Sequence, residues 1–334
     1  MASNTPPTKN TAIEQQANNA KQIGQVFGDV IFQECSSKNG NYKRIPDYLW
    51  YLPDRAAQRK ALREAIRKHE KNAKHRPLLC LVHGDEQERH LDFQDCFLKE
   101  ELPRISKLYK GIESKYVAIG FKNIDELHDN ILEKLWIKLF GDDEYPDALT
   151  FKTEMAQRLA EWTQPLILCI DIETQYCQSQ NDIIKRGFLE FWANLPNPKN
   201  RLLIFLLFQY SQETKRGLAL TRFFKPYLIQ QKPSPIRQKF SEEIHQLEKE
   251  INLSTFVEKF RVGAVVLPEL YPIDEAAAID WLKNYCRNYF CNTRIDAAKT
   301  EIQNFYKNYP KGVPMGKLAQ TLKKIVTEVR EAQI

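Results

Sequence analysis

The chain lacks the features that would assign it at once to a common functional class. No apolar run reaches the roughly 20 residues that a membrane-spanning helix needs. Residues 1–7 have neither the basic nor the apolar region of a secretory signal peptide. Gly-x-Ser-x-Gly and the Ser-His-Asp or Cys-His arrangements of hydrolases are also missing. We therefore expect a cytoplasmic protein that has no membrane partner and no hydrolase chemistry.

The seven cysteines form neither a disulfide framework nor a metal site. No two are spaced as Cys-x-x-Cys, and Cys80 and Cys169 lie inside strand-like runs, which is typical of buried thiols in a reducing compartment. The six histidines are scattered, and none has zinc-like spacing to a cysteine. We predict a protein that holds no metal and no cofactor.

Charges of both signs are mixed along most of the chain, and the net charge is only +6. This balance argues against nucleic acid as the main partner. One local exception is the predicted helix 55–74, whose outer side is basic. Because no aromatic residues interleave its cations, we interpret it as a solvated face, with nucleic acid or acidic lipid as the alternative partner. The cations are Arg55, Arg59, Lys60, Arg63, Arg67, Lys71 and Lys74.

Apolar runs of strand length alternate with amphipathic helical patterns over most of the chain, which predicts an α/β three-layer parallel sheet. The predicted strands lie in 76–84, 115–121, 165–173, 201–208 and 262–267. From residue 272 onward the pattern is helical only. We predict three parts: a disordered tail at 1–41, an α/β domain at 44–270 and a helical lid or bundle at 271–334.

The loop after the first strand lies where a parallel sheet binds phosphate, but its residues are unsuited to that task. A P-loop reads Gly-x-x-x-x-Gly-Lys-[Ser/Thr]. Counted from Gly84, Arg89 takes the place of the second glycine, His90 that of the lysine and Leu91 that of the hydroxyl residue. Three acids lie between, and a carboxylate about 6 Å from a phosphate costs roughly 3 kcal/mol. We therefore predict a degenerate P-loop without ATP hydrolysis.

A second buried run ends in Asp171 and Glu173, at the place of the Walker B acid that holds Mg²⁺ in P-loop ATPases. Carboxylates are common at strand ends, so we favour a structural or partner-contact role for both, or a vestige of metal binding.

Four motifs together resemble the inactive STAND domain, a degenerate relative of the signal-transduction ATPases with numerous domains. They are Tyr51-Leu52-Pro53-Asp54-Arg55, Arg76–Asp85, Leu267-Pro268-Glu269-Leu270 and Val313–Ala319. The resemblance runs from about residue 44 to the C-terminus. It implies a P-loop NTPase-like sheet that serves as an interaction or sensor module in bacterial conflict and immunity systems. It also implies that Arg55 is either a remnant of the nucleotide pocket or a helix-start residue.

The segment 20–33 is β-prone, nearly uncharged and free of proline. Its core resembles the short amyloid-type signalling motifs of bacterial defence proteins, which are commonly attached to regulatory modules. The alternative interpretation is a plain edge strand or hairpin. The residues that carry the resemblance are Gln22, Ile23, Gly24, Val26, Gly28 and Val30.

Three functions are therefore compared. The preferred one is a non-catalytic regulatory module that links signal sensing to a protein effector through strand templating by its N-terminal segment. The second is an atypical nucleotide binder that uses Arg89, His90 and Asp171. The third is a nucleic-acid-binding protein that uses the basic helix 55–74.

Overall fold

A computed structural model describes most of the chain between residues 47 and 331. The described ranges are 47–53, 55–72, 76–121, 123–141, 148–174, 183–195, 201–210, 235–251, 262–289 and 292–331. The predicted tail 1–41 and its signalling segment 20–33, with Gln22 to Val30, lie outside the described residues. The side chain of Glu173 does too.

Five parallel strands form one sheet in the order β2-β3-β4-β1-β5. The strands are β1 (Leu78–Asp85), β2 (Ser114–Ile119), β3 (Leu166–Glu173), β4 (Leu202–Tyr210) and β5 (Gly263–Val266). The three central strands are continuous apolar runs because helices cover both faces of the sheet. The predicted α/β fold class, with a parallel sheet and a helical C-terminus, is confirmed.

Ten α-helices occur in the described part of the chain. They are α1 (Ala56–Asn72), α2 (His90–Cys96), α3 (Leu102–Ile105), α4 (Ile124–Phe140), α5 (Ala148–Glu161), α6 (Phe191–Asn194), α7 (Pro235–Ile251), α8 (Glu275–Tyr285), α9 (Asn292–Tyr306) and α10 (Met315–Glu331). Side-chain caps fix two of the starts. Asn123 accepts a hydrogen bond from the Glu126 N–H at 2.9 Å, and Asp274 accepts one from the Ala277 N–H at 2.8 Å.

Alternate residues of the central strands enter two different apolar clusters. Leu81 and Leu206 face the cluster that includes residues of α4, α5 and α7. Val82 and Phe205 face the cluster that includes residues of α1 and α2. This alternation is the two-residue period of a strand, so each strand contributes to the core on both sides of the sheet.

A third cluster joins the last three helices to the turn of helix before α1. Trp50 lies 6.0 Å from Trp281 between ring centroids, and the indole N–H of Trp281 donates to the Leu49 carbonyl at 2.8 Å. The residues just before the sheet are thus packed into the C-terminal helices. The domain boundaries given above stay predictions.

One helical segment was not predicted from the sequence. Residues Ile183–Glu190 form a π-helix that leads into α6. A Cβ on Gly187 would lie 2.7 Å from a methyl carbon of Leu127, so glycine permits α4 to approach closely. The Glu243 carboxylate of α7 accepts the Ile184 N–H at 2.7 Å and holds the start of the segment. The apolar residues Ile183, Ile184, Phe188 and Leu189 recur at helical spacing and are buried, so this periodicity was the signal that the sequence offered.

None of the helices in the described ranges is both long enough and apolar enough to cross a membrane.

Candidate functional site at the carboxyl edge of the sheet

The end of β1 is closed by another part of the chain. Gly84 has a φ of +156° and forms a parallel bridge with Leu270, whose N–H donates to the His83 carbonyl at 2.8 Å. A Cβ on Gly84 would lie 2.6 Å from the Leu270 carbonyl oxygen. The glycine that opens a phosphate-binding loop in a P-loop protein is here required for close packing of the chain after β5.

The loop after β1 is a tight turn. Glu86–Glu88 form a 3₁₀ helix, and Arg89 has the left-handed conformation with a φ of 59°. The Arg89 side chain is half exposed, pairs with Asp92 at 2.5 Å and lies over the Tyr51 ring at 5.7 Å. Its guanidinium is thus held against its own helix and the turn before α1.

Within this turn, the Glu88 carboxylate points inward and meets Arg55. Glu88 Oε2 lies 2.7 Å from Arg55 Nη2 and 3.3 Å from the Met315 backbone N–H, which donates to it. The two side chains are 0% and 2% exposed. Burial raises the pKa of Glu88, while Arg55 acts in the opposite direction. The loop therefore supplies its own anion to a buried arginine and to the first turn of α10.

His90 is buried at the start of α2 and is 1% exposed. Neither ring nitrogen has a hydrogen-bond partner among the described residues. Burial, with smaller contributions from Arg55 and His83, lowers the pKa of His90 to about 3. A neutral, buried imidazole replaces the lysine of a working P-loop, so this position offers phosphate no charge.

His83 is a structural residue of this edge that sequence reasoning missed. Its Nε2 donates to the Leu267 carbonyl at 3.1 Å, because a carbonyl can only accept. Its Nδ1 then accepts from the Tyr210 hydroxyl at 3.1 Å. Burial lowers the pKa of His83 to about 4, and His245 adds to the effect. The ring joins β1 to β4 and to the segment after β5.

Asp171 lies on β3 at the same edge, but its two oxygens are already used. Tyr116 donates its hydroxyl to Oδ2 at 2.8 Å, and Gln209 donates its amide to Oδ1 at 2.6 Å. The residue is 8% exposed. Neutral donors from β2 and β4 thus satisfy a carboxylate that would have to face a metal ion in a Walker B site.

Three of the six described cations of the basic face of helix 55–74 make ion pairs or hydrogen bonds within the chain. Arg59 pairs with Glu101 at 3.0 Å and donates to the Tyr285 hydroxyl at 2.7 Å, and Arg63 pairs with Glu101 at 3.5 Å. Arg55 is buried against Glu88. The exposed cations of this face that the structure describes are Lys60, Arg63, Arg67 and Lys71.

The structure thus brings Arg55 against the degenerate loop and leaves the other candidates in separate contacts. Within the described ranges, no group of three or more His, Cys, Asp or Glu side chains is arranged to hold a metal ion. The side chains of Cys80, Cys96, Cys169 and Cys286 are free thiols and are buried. Burial raises the pKa of the thiols of Cys96, Cys169 and Cys286 to about 12, so these three stay protonated.

One known protein family matches this part of the chain. The model of the inactive STAND family matches residues 50–208, which include the loop after β1 and Asp171 and end within β4. This segment is therefore similar to the inactive STAND family. A search of curated proteins finds no match to the chain.

Solved structures similar to this chain include three from archaea. The Walker-type ATPase PABY2304 of Pyrococcus abyssi is 16% identical, with 84% of this chain and 68% of that chain covered and a TM-score of 0.33. The Aeropyrum pernix ORC1 protein in complex with DNA is 15% identical, with 86% and 68% covered and a TM-score of 0.41. Cdc6p from Pyrobaculum aerophilum is 12% identical, with 85% and 98% covered and a TM-score of 0.30. These scores are low, and nothing about function follows from them.

Proposed function

We propose that the protein is a non-catalytic regulatory module that receives a signal through its inactive STAND domain and passes it to a protein effector. The observation that carries the proposal is the buried contact between Glu88 and Arg55 in the loop after β1. In a nucleotide-dependent relative of such a module, that loop would bind phosphate. In this chain a carboxylate of the loop, that of Glu88, binds Arg55.

The charges of the loop oppose a bound nucleotide. A phosphate placed against the turn would have to share the site with the Glu88 carboxylate, and like charges at about 6 Å cost roughly 3 kcal/mol each. His90 is neutral, and Arg89 is paired with Asp92. No described cation of the loop remains to offset the repulsion.

The second requirement of an ATPase, a metal ion on the sheet edge, is opposed in a different way. Both oxygens of Asp171 accept hydrogen bonds, from Tyr116 and Gln209. Mg²⁺ would have to compete with these two hydrogen bonds for the carboxylate, and loss of either one would cost about 1–3 kcal/mol. A chain that has lost both its phosphate-binding and its metal-binding residues is expected to act by binding other proteins and not by catalysis.

The connection to an effector is the part of the proposal that rests on sequence. The β-prone segment 20–33 precedes the domain and resembles amyloid-type signalling motifs, so we propose that it templates a strand in a protein partner of a bacterial conflict or immunity system. The module would work in the cytoplasm and would bind protein in preference to membrane or nucleic acid.

The proposal is tested by nucleotide titration of the full chain. Thermal melts with millimolar Mg²⁺-ATP, Mg²⁺-ADP and Mg²⁺-GTP should leave the melting temperature unchanged, because binding to the folded state alone would raise it. The matched variant is Arg89→Ala, which removes the cation that an atypical nucleotide site would use. A shift in the parent protein that disappears in this variant would establish the nucleotide-binding alternative instead.

A second candidate function, nucleic-acid binding by α1, is favoured only by the exposed cations Lys60, Arg67 and Lys71. It predicts affinity that falls steeply with salt, because each phosphate contact releases counterions. A variant that changes all three to glutamine should abolish such binding. Absence of retention on DNA or RNA at low salt removes this candidate.

A further inference from the structure

The contact between Arg55 and Glu88 joins four separate parts of the chain. Arg55 lies just before α1, and Glu88 lies in the turn after β1. Arg55 Nη1 also donates to the Tyr271 carbonyl, at 3.2 Å, in the segment after β5. The Met315 N–H at the start of α10 donates to Glu88 Oε2 at 3.3 Å.

The start of α10 is packed tightly against this turn. A Cβ on Gly316 would lie 3.2 Å from the Gln87 carbonyl oxygen and 3.3 Å from the Arg89 side chain. α10 has 17 residues, so its first N–H groups carry the partial positive charge of a long helix. A carboxylate at this point is favoured both by the helix and by the arginine.

We infer that Arg55 and the Met315 N–H at the start of α10 form a carboxylate-binding site whose resident ligand is the Glu88 side chain, and that this internal ligand is the latch that holds the start of α10 against the turn after β1. The inference goes beyond the proposed function, because it holds whether or not the protein signals to an effector.

The chemistry of the site is that of a receptor for a planar monoanion. The arginine side chain is 2% exposed, and the carboxylate that it binds is 0% exposed. Removal of the carboxylate deletes this buried ion pair, which is strongly unfavourable. A small carboxylate from solution should then occupy the vacated space and restore the contact with α10.

The first experiment is chemical rescue of Glu88→Ala in the full chain. Formate at about 100 mM should raise the melting temperature of this variant by about 2–4 °C relative to the same concentration of chloride. The control is Glu101→Ala, which removes the ion pairs with Arg59 and Arg63 on the outside of α1. Formate should shift this control, and the parent protein, no more than chloride does.

The outcomes of the rescue are distinct. If Glu88→Ala is insoluble, refolding in formate but not in chloride should recover soluble protein. A failure of formate to act on either measure overturns the inference. A larger shift with phosphate or Mg²⁺-ADP than with formate would also overturn it, because the site would then be one for phosphate. Nucleotide binding by the parent protein would contradict the proposed function and would leave the inference about Glu88 unaffected.

The latch is tested by hydrogen exchange in Glu88→Gln, which keeps the shape of the side chain and removes its charge. Amides of the first turn of α10 that are protected in the parent should exchange at least tenfold faster in Glu88→Gln than in the parent. In Glu101→Ala they should exchange at the parent rate. Equal acceleration in both variants, or no acceleration in either, contradicts the role of Glu88 as the latch.

Discussion

His90 gives the sharpest test of the energetics of the degenerate loop. The ring is 1% exposed, and neither of its nitrogens has a partner in the described part of the chain. A buried polar group without a hydrogen bond costs about 1–3 kcal/mol. Leucine is close to histidine in size and carries no polar atom. We therefore expect His90→Leu to be more stable than the parent protein by about 1–3 kcal/mol at pH 7.

The same residue gives the parent protein a pH dependence that the variant should lack. The folded-state pKa of His90 is about 3, lowered first by burial and then by the nearby Arg55 and His83 side chains. Because this value lies below that of the unfolded chain, about 6.5, acid favours the unfolded state. The stabilising contribution is complete above pH 6.5 and is lost as the pH falls towards 3. At pH 5 this amounts to about 2 kcal/mol.

Urea denaturation at pH 7 and pH 5 measures both effects. The advantage of His90→Leu over the parent should grow by about 2 kcal/mol at the lower pH. His128→Leu is the control, because it removes the hydrogen bond of His128 to the Gly187 carbonyl at 3.1 Å and should destabilise the protein at pH 7. If His90→Leu is less stable than the parent at pH 7, the ring nitrogens have partners such as buried water, and the reasoning fails.

Three further predictions concern other parts of the molecule. Gly84→Ala should lower the free energy of unfolding by more than about 2 kcal/mol, because its Cβ would lie 2.6 Å from a carbonyl oxygen of the segment after β5. The control Gly111→Ala meets no atom within 4 Å and should lower it by about 1 kcal/mol. Equal losses in urea denaturation would contradict this. Tyr116→Phe should cost about 1–3 kcal/mol by the same measurement, since it leaves one oxygen of Asp171 without its donor; an unchanged midpoint would mean that solvent satisfies the oxygen. A peptide of residues 18–33 should form thioflavin-positive fibres, and a soluble monomeric peptide would reduce this segment to an ordinary strand.

Most of the fold could be predicted because its sheet is encoded locally. The runs that became β1, β3 and β4 are apolar without interruption, as burial on both faces requires, and helical periodicity marks α4 and the three C-terminal helices. The strand order could not be predicted in this way. It depends on contacts such as the pairing of Leu79 with Ile204, which lie far apart in the chain.

The candidate site was predicted only in part, for a related reason. The sequence shows that the phosphate-binding residues are absent, and it points to Arg55 through a motif. It does not show that Glu88 turns inward, because that depends on Arg55 and on the start of α10, more than 200 positions away along the chain from Glu88. The carboxylate of Glu88, which the sequence presents only as a source of repulsion for phosphate, is also the buried ligand of Arg55.

The most direct test of the central claim is a calorimetric titration of the full chain with Mg²⁺-ATP at low ionic strength. A protein whose loop already binds its own Glu88 should give no heat of binding up to millimolar nucleotide. A saturable binding curve with micromolar affinity would contradict the claim that this loop has lost the ability to bind nucleotide.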